Sequence, residues 1–142
     1  MKKGGILNAD LMYELTKLRH RDKMVLCDVG FPIPKDAVVV DVSLVAGVPD
    51  MMTVLKAVLN EIIVEEYAIS ASMKERNLEY YENLKEIFKT QQCKELEGAD
   101  FPDYTKDAKF FIRTSEFKPY SNILLVSASG VPSVSSQFDV TC

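Results

Sequence analysis

The sequence predicts a single three-layer α/β/α domain with a mainly parallel sheet, and three observations carry that prediction. Short apolar, β-branched runs alternate with segments of helical periodicity, the pattern of strands joined by crossover helices. The 142 residues, 47% of them hydrophobic, are enough for one compact core. No internal repeat or long linker divides the chain, so the domain is expected to run over 1–142, with 129–142 a polar, irregular tail.

Each element follows from its own residues. Leu7, Leu11, Leu15 and Leu18 recur at helical spacing behind Asn8, which is placed to cap the first turn. Residues 24–27 form a short apolar strand, and Gly30, Pro32 and Pro34 break regular structure after it. A second strand is read over 37–42. Gly47, Val48, Pro49 and Asp50 open a helix whose stripe is Met51, Leu55, Val58 and Ile62. Residues 63–69 read as a third strand. Asn77 opens another helix, with Leu78, Tyr81, Leu84, Ile87 and Phe88 as its apolar positions and a charged, solvated opposite face. A short strand near 93–96, a turn or single helical turn at 101–104, and strands at 109–114 and 122–127 around the bend 116–120 complete the chain.

Composition narrows the function. A formal charge of −4 and a pI near 5.1 argue against nucleic acid or an anionic membrane as partner. Cys27, Cys93 and Cys142 are odd in number and widely spaced, which fits free thiols in a cytoplasm rather than a disulfide framework. The opening MKKGGILNAD is basic but lacks the apolar segment of a signal peptide. No apolar run reaches the roughly 20 residues a bilayer requires. Neither Gly-rich phosphate loop nor a G-x-S-x-G elbow occurs. With one histidine and no C-x-x-C, neither metal nor cofactor is expected.

The chemistry that remains centres on His20 and Asp28. A strand ending in an acid before a sharp bend is where α/β proteins bind ligands. With His20 eight residues upstream, a loop and one strand are read as bringing imidazole and carboxylate into one cleft. Asp41, Arg113, Glu116, Tyr120 and Asn122 stand near the ends of other strands. Each has a plainer reading: His20 as a surface residue or helix-end partner, Asp28 as a turn cap, Tyr120 as a half-buried aromatic, Asn122 as a turn residue.

Taken together, MKKGGILNADL, residues 20–34, VDVSLVAGVPDMMTVL and IRTSEFKPYSNIL resemble the D-ribose pyranase and L-fucose mutarotase family over nearly the whole length. The bend DVGFPIP resembles the ribose type more closely. The resemblance implies cofactor-independent interconversion of sugar ring forms, D-ribose first and L-fucose second. It implies His20 as proton donor, and Asp28 with Tyr120, Ser121 and Asn122 as sugar contacts. It also implies a ring-shaped homo-oligomer, commonly a decamer, with the active site near a subunit boundary; an apolar segment around Phe110 and Phe117 is read as exposed. One departure stands out: Gly98 occupies the position of a second sugar-binding histidine or arginine. Its loss keeps open a non-catalytic sugar-binding module. An accessory protein of sugar uptake ranks lower.

Overall fold

The structure is a computed structural model that describes residues 1–130; most of the expected tail lies outside the described residues. Among the described residues six strands form one sheet: β1 (Lys23–Cys27), β2 (Val39–Asp41), β3 (Val64–Ser70), β4 (Gln92–Leu96), β5 (Phe110–Arg113) and β6 (Ile123–Ser127). Their order is β2-β5-β1-β6-β3-β4. Five strands share one direction, and β6 alone runs against them, antiparallel to both β1 and β3. The sheet is therefore mainly parallel, as expected, with one reversed strand inside it.

The pleat sorts the core into two halves, because successive side chains point to opposite faces. Met24, Leu26, Phe110, Ile112, Tyr67, Ile69, Ile123 and Leu125 face one way, against α1 (Ala9–Lys17), α2 (Met51–Leu59), α3 (Met73–Arg76) and α4 (Leu78–Ile87). There the Tyr67 and Phe88 rings stack at 4.3 Å. Val25, Cys27, Ala68, Phe111, Leu124 and Val126 face the other way. That layer is thin. Among the described residues, α5 (Asp100–Tyr104) and the bend carrying Phe31 and Ile33 cover it, with Ala37, Leu96 and Ala108 packed beside them. Phe31 meets Phe101 edge-on at 6.1 Å and lies 6.2 Å from Phe111, which pins the bend to the sheet.

Local chemistry sets the helix starts. Asn8 Oδ1 accepts from Leu11 N at 2.9 Å, and Asp50 Oδ1 from Thr53 N at 2.8 Å. Pro49 therefore precedes the cap of α2 instead of occupying its first turn, and Ile62 lies beyond its end. Along α4 the buried residues are Tyr80 and Leu84, while Leu78 is exposed, so the buried face is rotated from the expected stripe. The short α3 has no counterpart in the periodicity reading. Phe110 is fully buried in β5, which corrects the expectation of an exposed segment there; Phe117 is 66% exposed. No helix among the described residues is long and apolar enough to cross a membrane.

Candidate functional site

At the carboxyl end of β1, Asp28 starts the bend, and at the start of the reversed β6 sits Asn122. The reversal is what brings them together across 94 residues of sequence. Asp28 N donates to Asn122 Oδ1 at 2.8 Å, and Asn122 Nδ2 donates to Asp28 Oδ2 at 3.0 Å. The two bonds fix the amide's orientation and leave it one N–H to offer a ligand. Asp28 Oδ1 accepts from Gly30 N at 3.0 Å, so each carboxylate oxygen keeps one further acceptor site.

These groups open onto a pocket of about 310 Å³ that includes Tyr120, Ser70 and Gly98 in its wall. Phe31, Phe101 and the rings of Pro32, Pro102 and Pro119 supply its apolar surface. The volume falls at the low end of small-molecule sites, roughly 300–1,000 Å³. Tyr120 has φ +57, a left-handed conformation that costs a bulky residue about 1–3 kcal/mol and that clusters at ligand sites. Ser121 takes a different part. It is fully buried, donates to Lys118 O at 2.8 Å and accepts from Asn77 Nδ2 at 3.1 Å, so its hydroxyl braces the bend. Glu116 braces the same bend by accepting from Phe117 N and Lys118 N at 3.0 and 2.9 Å. Arg113 pairs with Asp41 at 3.0 Å and holds Val29 O at 3.4 Å, fastening the outer wall.

A Cβ built at Gly98 meets nothing nearer than Ser72 Oγ at 4.0 Å. Gly98 is thus on the pocket wall with room beside it. Cys27, immediately before Asp28, is fully buried, and burial pushes its thiol up to about 12, which keeps it un-ionised and unreactive. Among the described residues no group of three or more histidine, cysteine or acidic side chains is arranged to hold a metal ion.

His20 lies elsewhere. It precedes β1, whereas Asp28 follows it, and five extended residues span about 17 Å. Within one chain the two do not share a cleft, because the strand read as joining them holds them apart. His20 is 53% exposed at the amino-terminal edge of the sheet, with Nε2 3.1 Å from Glu65 Oε2. Glu65 also accepts from Arg21 Nη1 at 2.6 Å. Partial burial pushes the Glu65 carboxyl up, but the bonds from Arg21 and His20 outweigh it and hold its pKa below the usual value. Glu65 escaped the sequence reading; the only sign of it was an acid repeated at the start of an otherwise apolar strand, V-E-E-Y.

One carboxylate and one locked amide set among aromatic and proline surfaces make a site suited to a small molecule rich in hydroxyls, on a mixed-sheet α/β scaffold. The chain belongs to the RbsD / FucU transport protein family, which matches residues 1–131. A D-ribose pyranase of Petrotoga mobilis is 40% identical over 127 residues, covering 89% of this chain and 97% of its own. That of Bacillus subtilis is 39% identical over 88% of this chain and 95% of its own. The structure of Bacillus subtilis RbsD complexed with D-ribose matches with a TM-score of 0.86 at 38% identity, over 90% of this chain and 98% of that one. The fucose mutarotase of Streptococcus pneumoniae, in complex with L-fucose, has a TM-score of 0.75 at 19% identity over 88% and 95% of the two chains, a likeness of fold.

Proposed function

We propose that this protein interconverts the ring forms of a monosaccharide, D-ribose foremost, by proton transfer at the hemiacetal. The observation that carries the reading is the Asp28–Asn122 pair in its apolar pocket. The chain's likeness to D-ribose pyranases and to a relative solved with D-ribose supports the choice of sugar. Asp28, Asn122 and Tyr120 hold the hydroxyls, and Asp28 takes the anomeric hydroxyl's proton. An acid protonates the ring oxygen as the C1–O bond breaks. The open aldehyde rotates and recloses on either face, or through a different hydroxyl, to give the other anomer or a furanose. Nothing is oxidised or reduced.

His20 is the acid in this proposal, and it reaches the sugar from a second copy of the chain. Its distance from Asp28 within one subunit supports that placement, and in this reading the protein works as a homo-oligomer of the ring type. Leu44 (79% exposed), Val45, Val48 and Phe117 supply apolar surface for such contacts. The free thiols Cys27 and Cys93 suit a reducing compartment, the cytoplasm. NMR exchange spectroscopy on D-ribose and L-fucose, with and without protein, tests the function. Faster pyranose–furanose or anomer exchange on ribose is expected; binding without acceleration would leave a sugar-binding module, and faster exchange on fucose would reverse the ranking.

A further inference from the structure

Glu65 lies on β3 and His20 on the turn before β1, yet Glu65 Oε2 meets His20 Nε2 at 3.1 Å, and its other oxygen is held by Arg21 at 2.6 Å. Arg21 Nη1 also lies 3.5 Å from Glu66 Oε2. Arg21 takes φ +68, and its N–H donates to Ser127 O at 2.9 Å, so backbone and side chain together fix the guanidinium against Glu65. A carboxylate only accepts hydrogen bonds at neutral pH, so the imidazole nitrogen facing it carries the proton. We infer that Glu65 is the positioning residue for His20, holding Nε2–H so that Nδ1 is the nitrogen that exchanges its proton with the sugar. This rests on His20 being the acid.

The step balances. The imidazolium gives its Nδ1 proton to the ring oxygen as the C1–O bond opens, and the bond's electron pair stays on that oxygen. The anomeric hydroxyl, its proton lost to Asp28, becomes the aldehyde. Closure runs the transfers backwards. Throughout, Nε2–H stays on Glu65, whose negative charge stabilises the ring while it is cationic. Without the carboxylate, the neutral imidazole would divide between two tautomers and turn about its side-chain bonds, since half its surface meets solvent.

The chain's single histidine makes the test direct, because one imidazole gives all the histidine ring signals in a ¹⁵N spectrum. In the parent at a pH where the ring is neutral, Nε2 is expected to carry the proton and Nδ1 to be bare. The opposite tautomer overturns the inference and needs no variant to show it. Glu65→Ala is expected to mix the tautomers and lower kcat about 10–100-fold with little change in KM. Glu65→Gln, which keeps an acceptor for Nε2–H, should restore the tautomer and part of kcat. If Glu65→Ala keeps both tautomer and kcat, Glu65 does not position His20. His20→Ala measured alongside separates the two readings. Full activity without the imidazole removes its role as acid, whereas an inactive His20→Ala beside an unaffected Glu65→Ala removes only the role of Glu65.

Discussion

The two edges of the sheet differ in kind. At the carboxyl edge, Asp28 and Asn122 are locked to each other in a pocket walled by Phe31 and Phe101. At the amino edge, His20 stands half in solvent, held by one carboxylate. One edge has the shape to bind and no imidazole; the other has the imidazole and little enclosure. The contrast teaches that an incomplete site can be complete in its parts. Each edge holds its group by hydrogen bonds, and in the proposed reading a neighbouring copy of the chain brings the two together.

The sharpest break of this comparison is to empty either edge. His20→Ala is expected to slow catalysed exchange by about 10²–10⁴-fold, read by NMR, while stability shifts by only about 0.5 kcal/mol in a urea titration. Asp28→Ala should lose activity to a similar degree and weaken sugar binding as well. Equal retention of activity in both variants would refute the division of labour.

Mixing then sharpens it. If the edges of different copies meet, unfolding and refolding His20→Ala together with Asp28→Ala in equal amounts should recover about a quarter of parental activity by random pairing. No recovery, despite mixed oligomers seen by mass spectrometry, would confine each site to one chain. A smaller effect is expected at Gly98, where the pocket wall has room for a side chain. Gly98→His should tighten D-ribose by about 2–10-fold, the worth of one hydrogen bond, measured by calorimetry. Unchanged or weaker binding would show that this loop does not aim its side chain at the sugar.

The smallest effect is one of pH, and each edge has its carboxylate for it. At the carboxyl edge, partial burial raises the Asp41 pKa, but hydrogen bonds from Ser43 and Arg113 outweigh it and leave the group below its usual value. A depressed folded pKa adds stability that is complete above the unfolded value, near 3.9, and vanishes as pH falls through the folded one. The stability gap between parent and Asp41→Asn should therefore be present at neutral pH and close in acid, below the ordinary aspartate range. A gap that persists there would mean that Asp41 acts through packing and not through charge.

Much of the fold was legible in local pattern. Asn8 caps α1, residues 24–27 form β1, and the Gly-Pro bend follows, because periodicity and punctuation are properties of neighbours in sequence. Tertiary effects were not. Tyr80 replaced Leu78 on the buried face of α4 because the sheet, not the helix's own pattern, sets which side turns inward. The meeting of Asp28 with Asn122 across 94 residues had no local signal, only a family likeness. Spacing suggested that His20 and Asp28 were close, but a strand between two residues is a separator. Phe31, read only as part of a bend, became a wall of the pocket once Phe101 and Phe111 packed against it.

The reversed strand has a further consequence. β6 begins beside Asn122, which grips Asp28, and ends at Ser127, whose carbonyl takes the Arg21 N–H and whose own N–H reaches Asp22 O. Five residues thus act as a ruler between the two edges, with a mark at each end. A residue inserted into or deleted from β6 would detach one mark whichever way the sheet accommodated it. Length variation in this protein is accordingly expected in its loops and not in this strand, whatever side chains the strand carries.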